Sequence, residues 1–259
     1  MITSSTDING IRISYTAAGS GTPVLLIHGN TGSKLWFEPV MKPKMELPGF
    51  QLIAPDMPNF GDSERLDRAD IDLYADYIRD FIQALKGGDA PVAVVGHSLG
   101  GAVAISLALR NPALVSRLML VDSAPLDGLT TPEEHYPVIE QYKQNRELLA
   151  QALKAVTPTM DNEEFLQRLS AEGMKMNSIA FSGNARALAR FDYSGRGGDF
   201  SKPVFVVAGE QDVLIKRDMA QATADAFPNA RLKMLPGVGH SVMVEAPQTF
   251  LELIREFLE

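Results

Sequence analysis

The 259-residue chain contains no cysteine, which removes disulfides, thiolate nucleophiles and thiolate-held metal sites together. Basic residues are also short in number: 24 Lys and Arg stand against 32 Asp and Glu, for a formal net charge of −8. That balance repels phosphate backbones and anionic lipid surfaces, so neither nucleic acid nor a membrane is expected as a partner. The opening stretch "MITSSTDINGIRISY" lacks a basic region followed by an apolar run, so no secretory leader is read there and a cytoplasmic location is the expectation. Internal repeats and low-complexity tracts are absent. Histidine is scarce at four residues, which shortens any search for a general base. The longest uncharged run, residues 90–109, reaches the length of a membrane span, but His97, Ser98 and three glycines interrupt its middle.

With 45% hydrophobic and 22% charged residues the composition is that of an ordinary globular protein rather than a disordered one. Its length suits one α/β domain with an inserted subdomain. Two β-rich segments flank Asn9-Gly10, the dipeptide that favours a tight hairpin. Further short runs at 24–29, 50–56, 92–97, 117–123, 204–209 and 230–236 are mostly apolar throughout, as strands covered on both faces are. Helical patterns at 33–47, 70–86, 99–110, 217–227 and 247–258 alternate with them, which predicts a mainly parallel sheet with helices on each side. The alternation stops between 125 and 200, where "EEHYPVIEQYKQNRELLAQALKAV" and "DNEEFLQRLSAEGMKM" read as amphipathic helices. The division expected is a core of 1–124 with 201–259 and a helical insertion of 125–200.

The interrupting residues are "GHSLG", 96–100, at a junction from strand to helix. A serine on so sharp a turn adopts a strained backbone, and Gly96 and Gly100 remove the Cβ atoms that would collide there. The hydroxyl of Ser98 is then projected above the sheet at a helix N-terminus, with the Leu99 N–H aimed at a developing oxyanion. That context makes Ser98 a candidate nucleophile.

A serine hydroxyl needs a base to take its proton. His28 lies where it would shape a loop, His97 adjoins Ser98 and should point away from it, and His135 falls in the helical insertion. His240 remains, on the loop after the last strand. The acid orienting it should come from another strand end. Asp212, just beyond 204–209, gives the chain order Ser98, Asp212, His240; Asp122, after 117–123, is the alternative. A second oxyanion donor is expected from the backbone N–H of Asn30, after the His28-Gly29 turn.

Through "HGN", "APDMPNFGDS", "GHSLGG", "AGEQD" and "GVGHSVMVEAP" the chain resembles α/β-hydrolase fold proteins, specifically the serine-nucleophile esterase and lactonase branch with a helical cap. The resemblance spans nearly the whole length and implies an eight-stranded sheet, a cap over the site and no cofactor or metal. It also implies a small-molecule ester or lactone substrate, processed by acyl transfer through Ser98. Two departures stand out. Asn59 replaces the usual glycine, and asparagine is the next most tolerant residue of positive φ. The "HGNTGSKLWF" loop is similar to that of haloalkane dehalogenases, whose nucleophile is aspartate; serine at 98 excludes that chemistry and the epoxide hydrolase one. Trp36, Phe37, Phe181 and Phe191 are candidates for an apolar acyl pocket. The alternatives are a lactonase, acyl-homoserine lactones included, a C–C bond hydrolase, and a small-molecule receptor that retains the triad.

Overall fold

Asn9 and Gly10 take φ of 54° and 81°, and this two-residue turn folds β1 (Ile2–Ile8) back onto β2 (Ile11–Gly19) with Ile8 opposite Ile11. Both residues tolerate the left-handed conformation that such a hairpin demands. The computed structural model describes residues 1–86 and 90–259. Strand β2 also pairs antiparallel with β4 (Phe50–Pro55), and from there the sheet is parallel through β3 (Thr22–Ile27), β5 (Val92–His97), β6 (Val115–Val121), β7 (Val204–Gly209) and β8 (Ala230–Leu235). The order across this eight-stranded sheet is β1-β2-β4-β3-β5-β6-β7-β8.

The continuously apolar strands have a direct physical account. Alternate residues of a strand point to opposite faces, and here both faces are covered. Leu25, Ile27, Val94, Leu118, Leu120 and Val206 belong to one buried cluster, together with residues of α1 (Ile71–Lys86) and α2 (Leu99–Arg110). Their neighbours Val24, Leu26, Val95, Met119, Val121 and Val207 belong to the other.

Between β6 and β7 lie α3 (Tyr136–Gln141), α4 (Arg146–Val156), α5 (Glu163–Gly173) and α6 (Ala180–Arg190). After β7 come α7 (Arg217–Asp225), then, past β8, the short α8 (Val242–Glu245) and α9 (Pro247–Leu258). The last packs residues such as Phe250, Leu253 and Ile254 into the second cluster.

Two helical expectations need correction. Residues 33–47 form two 3-10 turns, Lys34–Val40 and Pro43–Met45, rather than one α-helix. Pro39 and Pro43 lack the N–H that an α-helical ladder needs, and amphipathic spacing alone does not register this. The single helix expected over 133–156 breaks ahead of Asn145, whose side chain accepts from the Leu148 N–H at 3.0 Å and starts α4 afresh. Asn59 adopts φ of 78°, so asparagine does carry the turn where glycine is usual. Its buried side chain accepts from the Leu66 N–H at 2.7 Å and donates to Arg68 O at 3.0 Å.

Candidate active site

The five residues of interest follow five different strands at one edge of the sheet: Asn30 after β3, Ser98 after β5, Asp122 after β6, Asp212 after β7 and His240 after β8. This carboxyl edge is where open α/β sheets gather their loops. Ser98 sits at φ 54°, ψ −120°, a conformation that costs a non-glycine residue on the order of 1–3 kcal/mol and must be held in place by its surroundings. The hold is visible. The Ser98 N–H donates to Val121 O at 3.0 Å, and Ser98 O accepts from the Gly101 and Ala124 N–H groups. A Cβ on Gly96 would lie 2.5 Å from Gly100 O, and one on Gly100 would lie 2.3 Å from His28 O. Strand β5, helix α2 and the loop after β3 therefore meet too closely for any side chain.

His240 donates from Nδ1 to Asp212 Oδ2 at 2.7 Å, with both side chains buried. The same Asp212 carboxylate accepts from the Leu214 N–H at 2.7 Å. Burial alone would raise the Asp212 pKa, but the hydrogen bonds from His240 and the loop amides outweigh it and hold the group below the usual carboxylate range. An ionised Asp212 accepts only, so the ring proton of His240 rests on Nδ1 and Nε2 keeps its lone pair. The hydrogen bond of His240 goes to Asp212 rather than to Asp122. Asp122 is also buried, at φ 44°, and accepts from the Gly209 N–H through Oδ1 at 2.8 Å.

The loop bearing His240 is tied down from several sides. Its N–H donates to Val156 O at 2.9 Å, its C=O accepts from His97 Nε2 at 2.8 Å, and Glu245 accepts from the flanking N–H groups of Gly239 and Ser241. The His97 ring stacks on Trp36, with centroids 5.8 Å apart. Burial lowers the His97 pKa to about 3, with nearby His240 adding to the effect, so His97 is a neutral strut. His28 is equally fixed: Nδ1 donates to Gly29 O at 2.9 Å while Nε2 accepts from the Met57 N–H at 3.1 Å, and burial lowers its pKa to about 4. Both ring nitrogens of His28 are engaged, and the unengaged Nδ1 of His97 is buried with its proton affinity lowered, so neither ring offers the accessible basic nitrogen that a general base requires.

The N–H groups of Asn30 and Leu99 donate to no acceptor among the described residues. The Asn30 side chain is anchored through Oδ1, which accepts from Asn184 Nδ2 of α6 at 2.8 Å; Asn184 Oδ1 in turn accepts from the Tyr74 hydroxyl at 3.0 Å. Nothing in the sequence pattern singled out Asn184, because a polar residue inside an amphipathic helix reads as solvated, whereas it is completely buried. Asn184→Ala leaves the buried Tyr74 hydroxyl and the half-buried Asn30 side chain each short of a hydrogen bond, at about 1–3 kcal/mol, and should lower Tm by roughly 3 to 10 °C. Calorimetry checks this; an unaltered Tm would remove the network from the account.

Ser98, His240, Asn30 and Trp36 all line one cavity of about 580 Å³. Its apolar wall consists of Leu129, Ile139, Tyr142, Leu149, Leu153 and Val156. Phe37, Phe181 and Phe191 are not part of that wall; they are buried in the two cores, Phe37 in one cluster and Phe181 and Phe191 in the other. The acyl-pocket expectation for those three is corrected accordingly. The stripe along α4 carries the spacing that marks a core-facing helix, and periodicity does not distinguish a face turned to a core from one turned to a cavity. His135, expected on an exposed helix, is exposed and stands among the residues at this cavity.

A model of the alpha/beta hydrolase family matches residues 24–253. An sn-1-specific diacylglycerol lipase of Mus musculus is 25% identical over 97% of this chain and 87% of its own length. Lipase 1 of Psychrobacter immobilis is 29% identical over 95% of this chain and 80% of its own. Among solved structures, an esterase from Exiguobacterium antarcticum superposes with a TM-score of 0.87 at 21% identity, covering 99% of both chains, a likeness of fold.

Proposed function

The chain belongs to the alpha/beta hydrolase family, and we propose that it is a serine hydrolase cleaving small to medium, largely apolar carboxylic esters through an acyl-enzyme on Ser98. The observation that carries this reading is the buried Nδ1 to Asp212 hydrogen bond of 2.7 Å, which leaves His240 Nε2 as a base on the cavity that also exposes Ser98. The lipases among its relatives support an ester substrate.

In this mechanism His240 Nε2 takes the Ser98 proton as Oγ attacks the ester carbonyl, and Asp212 stabilises the resulting imidazolium. The unengaged N–H groups of Asn30 and Leu99 receive the oxyanion. His240 then protonates the departing alcohol, and a water deprotonated by His240 releases the acid and restores Ser98. The helices between β6 and β7 act as a cap: α3 and α4 supply much of the apolar wall, and α4 also holds the His240 loop through Val156 O.

Among the described residues, none lining the cavity is Lys, Arg, Asp or Glu. A substrate carboxylate would find no Lys or Arg there, which favours a neutral acyl group over a carboxylate-bearing substrate such as the dienoic acid of a 27% identical C–C hydrolase. Val138, Val213 and Leu214 line the same cavity, at 40%, 52% and 45% exposure, and extend its apolar surface outward. Cavities of this size accommodate a drug-sized ligand. Hydrolysis of p-nitrophenyl esters from acetate to decanoate should therefore peak at an intermediate chain length. Turnover confined to lactones, or tight binding without turnover, would replace this reading with the lactonase or the receptor.

A further inference from the structure

Asp122 is a buried group that the mechanism above leaves unused. It is 1% exposed and held at φ 44°, and its N–H donates to Val207 O at 2.8 Å. One carboxyl oxygen, Oδ1, accepts from the Gly209 N–H. The other, Oδ2, is completely buried and finds no donor among the described residues. A carboxylate oxygen in that position is costly, because an unpaired buried charge loses hydration and gains nothing in return. Yet Asp122 is not isolated: ligand-type oxygens of Asp122 and Asp212 and a ring nitrogen of His240 all lie within 4.8 Å of one another. Two ionised carboxylates do not share such a site.

We propose that Asp122 carries a proton and donates it in a hydrogen bond to the Asp212 carboxylate, making Asp122 a positioning residue that fixes the acid facing His240; this role rests on the serine hydrolase reading, although the proton itself does not. The orphaned oxygen becomes a donor, and the second carboxylate becomes its acceptor. The titratable groups facing the pair are His240, which bonds Asp212, and Glu245, whose negative field joins that of Asp212 in opposing ionisation of Asp122. Burial, then the Asp212 charge, pushes the Asp122 pKa well above its ordinary 3.8, while Asp212, bonded to His240 and the loop amides, is held low. The two environments split the pair into one acid and one carboxylate.

A carboxyl whose folded pKa is raised contributes stability that is complete below about pH 3.8 and is lost as pH climbs toward the folded pKa, because only the unfolded chain releases that proton. Asparagine has no proton to release and can still donate from Nδ2 to Asp212 while accepting from Gly209 through Oδ1. Asp122→Asn should therefore remove a component of the decline in Tm above pH 4 that the wild type shows. Glycine at 122 accepts φ of 44° without strain but makes neither bond.

The first experiment is the infrared difference spectrum of wild type minus Asp122→Asn at pH 7, read in the C=O stretch region of protonated carboxyl groups. A band there supports the proposal, and its absence overturns it, whether or not the enzyme turns over esters. The second compares kcat on the best p-nitrophenyl ester. Asp122→Gly should lose about tenfold or more with little change in KM, and Asp122→Asn should recover most of that loss. Equal losses in both variants, with an altered pH profile in Asp122→Asn, would mean that the charge of Asp122 is what matters and would overturn the proposal. No measurable ester turnover in the wild type, with the infrared band present, would instead remove the serine hydrolase reading and leave the shared proton standing.

Discussion

Ser98→Ala is expected to lower kcat for the best p-nitrophenyl ester by about 10⁶-fold, the scale on which serine hydrolases lose activity when the nucleophile goes. In the proposed mechanism Ser98 Oγ is the atom that forms and breaks the acyl bond, and His240 has no other proton to remove in that step. What survives should be the contribution of the Asn30 and Leu99 N–H groups and of substrate binding, about 10³–10⁴ over water. The fold should not change. Alanine keeps the Cβ that φ of 54° already accommodates, and the backbone bonds to Val121, Gly101 and Ala124 do not involve the hydroxyl. Tm is the control for that statement. A variant with intact Tm and near wild-type turnover would eliminate Ser98 as nucleophile and point to background hydrolysis by an exposed group.

Asp212→Asn is the second large effect, expected at about 10⁴-fold in kcat. The amide preserves size and position, but its nitrogen offers a donor where His240 Nδ1 already donates at 2.7 Å. The ring then favours the tautomer with its proton on Nε2, the wrong nitrogen for accepting one from Ser98. Asp122 lies close enough to be a substitute acid, so the comparison with Asp122→Asn decides between them. Loss on changing Asp212 with far smaller loss on changing Asp122 matches the hydrogen bond observed. The reverse pattern would transfer the orienting role to Asp122 and with it the reading of the whole acid pair.

The mostly parallel sheet was legible because its strands lack the polar alternation of a half-exposed sheet. Val24, Leu25, Leu26 and Ile27 alternate between two buried clusters, which a run of four apolar residues already requires. The Asn9-Gly10 turn and the left-handed Asn59 were equally readable, since few residue types accept such backbones. The helix expected over 33–47 was misread because periodicity outweighed Pro39 and Pro43. The cavity wall escaped for a different reason: Leu149, Leu153 and Val156 have the spacing of any core helix, and only the space in front of them sets them apart.

Local chemistry thus sufficed for whatever depends on a residue and its immediate neighbours: the glycines that let β5 and α2 meet, the serine between them, and the strand-end positions of Asp212 and His240. Relations between distant segments needed the folded chain. His240 meets Asp212 across 28 residues, Asn184 anchors Asn30 across 154, and His97 supports the His240 backbone across 143. Which of two aspartates bonds the histidine, which carries the proton, and which apolar faces line a cavity are set by distances and burial that arise only when the strand ends converge. Hydrogen bonds and desolvation act over a few ångströms, and sequence separation carries no information about which groups come within that range.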